Sequence, residues 1–293
     1  MKFRISNIEN MSFKEIANIF CKSFQGYSVH LNVDENEIKN RFEREGLEKA
    51  LSFVLMDENY KKVGICFNSH INNTVRCGGF GIYPEYRRKG IAQRFLEKVI
   101  KIFSERGFKE YRLEVLKDNL DAICLYKKIG FKVVGEIAVL DGKFFKNPNS
   151  EKYELDYNIF EINDSSIGLV KEFRRKVLFD DKIWECKIHN IISSDSNKGI
   201  FFYERKTCKR LSGRNLKGYM IFQGEKLTDS NIVIKDFQCY DYCCGIIFKM
   251  LGDIFENSKV QFYYIDEESN LFKYFVNSYF DIKYPQLLMK KII

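Results

Sequence analysis

Proline is scarce in this chain of 293 residues: three occur, and no Gly/Ser/Pro-rich tract marks a flexible linker. Uncharged apolar runs are short. No stretch reaches the roughly eighteen residues that a membrane-crossing helix needs, so no membrane span is expected. The N-terminal apolar residues Phe13, Ile16, Ala17, Ile19, Phe20 and Phe24 are interrupted by Lys14, Glu15 and Lys22 and fall at helical spacing, unlike a signal peptide. Only three histidines are present, His30, His70 and His189, far apart in sequence, and the nine cysteines show no metal-type spacing. A metal site is therefore not expected. An odd number of cysteines, most of them inside apolar runs, indicates reduced thiols and a cytoplasmic protein.

What is present is enough for real cores. Hydrophobic residues make up 45% and aromatic residues 15% of the chain, and the length suits two domains of about 150 residues each. The formal net charge is +8, with Lys/Arg clusters at 86–89, 171–176 and 205–217. Such a balance attracts an anionic cofactor or substrate. No nucleic-acid-binding motif accompanies it, so nucleic acid is not an expected partner.

The most informative stretch is 74–92, Thr-Val-Arg-Cys-Gly-Gly-Phe-Gly-Ile-Tyr-Pro-Glu-Tyr-Arg-Arg-Lys-Gly-Ile-Ala. A strand-like run stops at Pro84, turns through a basic corner, and leads into Ile91, Phe95, Leu96, Val99, Ile100 and Phe103 at helical spacing. First-turn amides of a helix have no intrahelical partner, and the helix dipole adds positive potential there. Gly90, Ile91 and Ala92 offer backbone that a diphosphate can approach, and Arg87, Arg88 and Lys89 surround it with charge. The Lys-Ser/Thr ending of a nucleotide triphosphate loop is missing, as is a complete Gly-x-Gly-x-x-Gly after a first strand.

Around this corner the pattern predicts a mixed α/β sheet. A strand at 1–8 precedes helices opened by capping boxes at Ser12-x-x-Glu15 and Asp34-x-x-Glu37, with a loop at 24–31 between them. Strands follow at 51–56, 62–71 and 74–83, then a helix over 90–106, a strand at 111–116 and a helix over 119–129. A last strand pair is expected within 131–157, turning at Asp141-Gly142. A meander joined to α/β crossovers requires parallel and antiparallel neighbours together.

Residues 1–157 resemble the GNAT superfamily of acyl-CoA-dependent N-acetyltransferases. Its phosphate motif, Gln/Arg-x-x-Gly-x-Gly/Ala, is matched by Arg87-x-x-Gly90-x-Ala92, and its second motif by Leu113-Glu114-Val115, Asn119, Ala122, Leu125-Tyr126 and Gly130-Phe131. The resemblance implies acetyl-CoA as co-substrate and an amine, on a small molecule or a protein, as acceptor. It implies that backbone groups of Gly81, Ile82 and Tyr83 pair with the pantetheine arm, where 74–83 parts from 111–116. Ile82 N–H would polarise the thioester carbonyl. Tyr126 stands at the family's general-acid position; read from the pattern alone it is a helix-face aromatic beside Ile123 and Ile129. Asn119 is an N-cap, a pantetheine contact, or both. Glu114 points opposite to Leu113 and Val115 in an alternating strand and is either a base, as a glutamate at this offset is in some protein-acetylating members that the chain resembles, or a surface or salt-bridged residue. The central strand contains no acid of its own.

The second half carries no such corner, yet its element order is similar, with strand-like runs at 200–204, 217–223, 231–239 and 259–265 and a helix after Gly245. Phe262-Tyr-Tyr264, Leu271 and Phe275 through Phe280 repeat the pattern of Leu113-Glu-Val115, Ala122 and Tyr126 through Phe131, each 149 residues later. The expected division is 1–157, catalytic, and 158–293, a degenerate GNAT-like copy; a chance coincidence of patterns is the alternative. Acceptor contacts are expected from Tyr27 and His30, with Phe201-Phe202-Tyr203 as further candidates. Two functions fit: an acetyl-CoA-dependent N-acetyltransferase, or a non-catalytic acyl-CoA-binding regulatory protein. Oligomeric state is not readable from the sequence.

Overall fold

A computed structural model of the chain describes residues 3–27, 33–146, 153–177, 197–205, 215–224, 231–256, 258–278 and 280–293. It has two compact units, Met1–Val134 with Leu287–Ile293, and Gly135–Gln286. The sequence places the division at 157; the contacts place it at 134 and assign the final seven residues to the first unit. Strand pairing between distant segments leaves no local mark in a sequence, which is why this assignment is invisible there.

In the first unit β1 (Arg4–Asn7), β2 (Phe53–Met56), β3 (Lys62–Ile71), β4 (Thr74–Ile82) and β5 (Glu110–Leu116) lie in that order. The first three pairings are antiparallel and β4–β5 is parallel. Both expected capping boxes form: Ser12 opens α1 (Phe13–Ser23) and Asp34 opens α2 (Glu35–Glu45). Phe20 of α1 stacks on Phe67 of β3 at 5.3 Å between centroids, and Phe42 of α2 meets the same ring edge-on at 5.0 Å. α3 (Ile91–Glu105) buries Ile91, Phe95, Leu96, Val99, Ile100 and Phe103, the residues its periodicity singled out. Phe103 packs against Phe53 and Tyr111. α4 (Leu120–Ile129) ends on left-handed Gly130, φ 100°, a conformation that glycine adopts without a Cβ clash.

The outer side of β5 is covered by the end of the last strand, β12 (Phe280–Ile292). Met289 is buried, Lys290 pairs with Glu110 at 3.6 Å, Lys291 donates to the Ile129 carbonyl, and Ile293 N–H donates to Lys109 O at 3.0 Å.

β6 (Lys132–Lys143) is one continuous strand, so the turn expected at Asp141-Gly142 does not exist. Both residues pair across to β11 (Lys259–Asp266), opposite Gln261 and Val260, and the Asp141 side chain accepts from Gln261 Nε2 at 2.7 Å. The partner strand lies 120 residues away, beyond the reach of any local turn signal. The expected hairpin within 131–157 is replaced by two strands with different neighbours, since β7 (Leu155–Glu161) pairs with β8 (Asn197–Glu204).

The second unit continues with α5 (Asp164–Val177), β8, β9 (Leu216–Gln223), β10 (Asn231–Cys239), α6 (Cys244–Ile254), β11 and α7 (Asn270–Val276). β7-β8-β9-β10-β11-β6 are successive neighbours, with β10–β11 parallel. Phe201 and Phe202 of β8 are buried core residues. Among the described residues no helix is long and apolar enough to cross a membrane, and no cluster of metal-ligating side chains occurs.

Candidate active site

β4 and β5 pair from Thr74–Glu110 to Cys77–Leu113 and then part, although β4 runs on to Ile82 and β5 to Leu116. The parting coincides with a bulge. Cys77 faces Asn68 and Gly79 faces Phe67, so Gly78 is an extra residue in β4. A bulge bends its strand and sharpens the twist, which carries the rest of β4 away from β5. A Cβ added at Gly78 would lie 2.5 Å from Leu47 Cδ2, so any larger residue would have to displace that buried side chain. The Gly78 carbonyl accepts instead from Arg41 Nη2 at 2.6 Å.

Along the freed edge, backbone groups alternate in direction. Tyr83 N–H donates to Val63 O of β3 at 2.8 Å, and Gly81 has the same parity opposite Ile65. The expectation that Gly81 and Tyr83 offer backbone groups to a pantetheine arm is therefore corrected: theirs face β3. Phe80 and Ile82 face the opening, and Ile82 N–H is the donor at its end.

The corner follows. A 3₁₀ turn spans Pro84–Tyr86; Arg88 and Gly90 are left-handed, with φ 58° and 70°, and α3 begins at Ile91. Gly90 is the N-cap and no side chain caps the helix, so its first-turn amides are not met by a side-chain acceptor. An added Cβ at Gly90 would have only Arg94 Nη2 at 4.0 Å nearby. This bare, open cradle of N–H groups fits a diphosphate.

The three basic residues of the corner differ in what they do. Arg88 is 91% exposed, with Nη2 4.0 Å from Asp121 Oδ2. Lys89 turns back to donate to Glu85 O at 2.8 Å. Arg87 donates from Nε to Ile82 O at 2.9 Å and from Nη2 to Ser23 O at 3.1 Å and Gln25 O at 2.7 Å. Its charge was expected beside phosphate; the guanidinium is instead engaged by backbone carbonyls. Arg94 was missed by the sequence reading, although its place four residues after Gly90, one turn along the helix, was a usable signal.

Across the opening, α4 begins at Asn119, whose side chain accepts from Ala122 N–H at 3.2 Å. Tyr27 lies near Asn119; burial raises its pKa, Asn119 opposes the rise and the nearby Asp118 charge adds to it. Tyr126 is buried, its ring 5.8 Å from Phe131, and its hydroxyl makes no hydrogen bond with the described residues. Burial pushes the phenol well above its ordinary value, and the Cys77, Tyr27 and Cys66 groups add to the effect. It stays protonated across the physiological range. His30 lies outside the described residues.

Glu114 is held in a buried ion-pair network that sequence reading did not assemble. Arg76 of β4 donates from Nε to Glu114 at 2.8 Å and pairs through Nη1 with Glu45 at 3.0 Å; Arg41 joins Glu45 at 2.9 Å. A single charge inside the strand TVRCGGFGI was the available clue, since a buried charge requires a partner. The two carboxylates diverge. Burial raises Glu45, but Arg41, Arg76 and Arg44 outweigh it and hold the group at about 2. For Glu114 burial prevails over its single arginine, and the nearby Glu45 charge adds to the rise.

The first unit thus combines a splayed parallel strand pair, a bare helix N-terminus and a buried phenol. Residues 13–131 match the Acetyltransferase (GNAT) family model, a match that lies within the first unit. Two curated relatives are similar over short spans. The [Ribosomal protein bS18]-alanine N-acetyltransferase of Escherichia coli (strain K12) is 30% identical over 84 residues, 29% of this chain and 56% of that protein. The thialysine N-epsilon-acetyltransferase of Sus scrofa is 36% identical over 55 residues, 19% of this chain and 32% of that protein. The chain thus spans about half or less of the curated relatives it matches. A solved tandem GNAT protein from the clavulanic acid biosynthesis pathway superposes with a TM-score of 0.67 at 8% identity, covering 99% of this chain and 98% of that one, a likeness of fold.

Proposed function

We propose that the first unit is an acetyl-CoA-dependent N-acetyltransferase acting on a primary amine, with a protein N-terminus as the leading acceptor and a small amine as the second. The observation that carries this reading is the conjunction of the bare α3 corner with the open edge from Gly78 to Ile82. When bound, the co-substrate supplies an activated acetyl group on sulfur. The Ile82 N–H then donates to the oxygen that gains charge as the new C–N bond forms. Tyr126 gives its proton to the departing sulfur as the C–S bond breaks, and its elevated pKa keeps that proton in place until then. At pH 7 a protein N-terminus, with a pKa of about 7.7–8.0, is neutral in roughly one molecule in ten. A lysine-type small amine, with a pKa of about 10.4, is neutral in about one per thousand or fewer, so a base is useful for either and most for the second. Glu114 is the candidate, directly or through water, with Arg76 setting its orientation.

A second reading, acyl-CoA binding without turnover, is favoured by the engagement of Glu114 with Arg76. A thiol-release assay with acetyl-CoA separates the two across alanine-starting peptides and small diamines. Release that depends on an amine supports transfer; coenzyme A binding without release on any amine supports the regulatory reading.

The second unit reads as a degenerate copy of the first. Its described elements run in a similar order, with α5 standing between β7 and β8 where α1 and α2 stand between β1 and β2, and Lys235 of β10 is an extra residue directly after the last parallel pair, Ile234–Phe262, as Gly78 follows Cys77–Leu113. Its 3₁₀ turn, Asp241–Cys243, runs straight into α6 at Cys244, so nothing corresponds to Arg87–Gly90. Among the described residues of this unit, nothing else repeats the left-handed Arg88–Gly90 corner that opens α3. The free thiols of the described cysteines fit a reducing compartment, and we place the protein in the cytoplasm.

A further inference from the structure

We propose that Arg87 is a positioning residue that ties the segment Ser23–Tyr27 to the phosphate corner, so that filling the corner stiffens the chain bordering the acceptor side. The tie itself stands on geometry alone; its response to a ligand rests on the reading of the corner as a coenzyme A site.

Ser23 ends α1, and the last carbonyls of a helix have no intrahelical donor. Phe24 N–H reaches back to Phe20 and Cys21, and Gln25 N–H to Lys22, which leaves the Ser23 carbonyl to another donor. Arg87 Nη2 supplies it and bonds the Gln25 carbonyl as well. A cation at this end of α1 also meets the negative pole of the helix dipole. Through Nε the same guanidinium holds the Ile82 carbonyl, the last one on the open edge of β4. One planar group thus joins the end of α1, the exit of β4 and the corner's own backbone. A lysine offers one nitrogen and no fork, and does not reproduce this arrangement.

Ser23–Tyr27 bears on the site from its other end too. Gly81 has no room for a Cβ because Ser23 O would lie 2.8 Å from it, so the segment rests directly on β4. Phe24 meets Tyr27 edge-on at 5.5 Å, and Tyr27 lies near Asn119 at the start of α4. A shift of Arg87 is therefore transmitted to both rims of the opening. The Arg87 guanidinium does not serve as a phosphate ligand; Arg94, aimed back at Gly90, is the better placed cation.

The test is amide hydrogen exchange of the full chain, wild type, Arg87→Lys and Arg87→Gln, with and without coenzyme A, beside calorimetric titration of coenzyme A. In the free protein both variants are expected to speed exchange at 24–27 by about tenfold or more. In the wild type, coenzyme A slows exchange there; in the variants it binds with a Kd within about threefold of the wild type, as expected for a group that contacts no phosphate, yet leaves 24–27 fast. Exchange at 24–27 unchanged by either variant overturns the tie. A tenfold or larger loss of coenzyme A affinity with 24–27 still protected returns Arg87 to the role of phosphate ligand and overturns the proposal. No binding of coenzyme A to the wild type sinks the reading of the corner instead, while faster exchange in the free variants still reports the tie. Arg87→Lys keeps the charge, and far-ultraviolet circular dichroism of both variants checks that the fold is intact.

Discussion

Tyr126 and Glu114 divide the proton traffic of the proposed reaction, and each is set up by burial. Removing the Tyr126 hydroxyl with Tyr126→Phe leaves the ring and its contact with Phe131 in place. Turnover is expected to fall by about a hundredfold or more, while the Kd for coenzyme A changes little. Equal loss in both would mark Tyr126 as a binding residue. For Glu114 the sign follows from its raised pKa: below that value the group is protonated and accepts nothing. The acidic limb of kcat/KM should therefore lie above the ordinary carboxylate range near 4.5 and should disappear in Glu114→Gln. A limb that persists in the variant belongs to another group. Arg87 shows what residue-level reading misses: its place in the motif is plain in the sequence, but the direction of its side chain depends on where the end of α1 lands.

At the scale of elements, α2 matters for the end it presents. Its last residue, Glu45, brings a carboxylate to Arg76 under the bulge and makes the acid stability of the first unit depend on one helix terminus. Glu45 has a folded pKa of about 2 against an ordinary 4.5, so its contribution is present above about 4.5 and is lost as the pH falls toward 2. The loss is about 3 kcal/mol at most by proton linkage. Glu114 is raised, and its effect has the opposite sign: it favours the fold at low pH and fades as the pH rises through its own value. Urea unfolding between pH 5 and 2 should show the loss in the wild type and a flatter dependence in Glu45→Gln. A wild type that is equally stable across this window would remove Glu45 from the account. The elements of the first unit were legible because their signals are local: capping boxes at Ser12 and Asp34, glycine stops at Gly107 and Gly130, and the periodicity of α3. Asp141-Gly142 misled for the complementary reason. A sequence that favours a turn was overruled by pairing with Gln261 and Val260.

For the molecule as a whole, the first unit is not a continuous stretch of chain. Leu287–Ile293 belongs to it, with Met289 buried in its core and Ile293 bonded to Lys109. Deleting 287–293 is expected to destabilise this unit by at least about 3 kcal/mol, from one buried side chain and the lost strand bonds. The drop should appear as an earlier unfolding transition and as weaker coenzyme A binding. If the truncated protein kept both at wild-type values, the strand would be an ornament of the fold. None of this was legible, because hydrophobic alternation identifies a strand without naming its neighbour.

That debt to a distant segment has a counterpart in time. During synthesis Val134 leaves the ribosome 153 residues ahead of Leu287, and at about 5–20 residues per second the wait is on the order of 8 to 30 seconds. Throughout it β5 carries an unpaired flank, the kind of edge that invites stray strands. A nascent chain stalled before 287 should be the form most dependent on chaperones and most prone to aggregate.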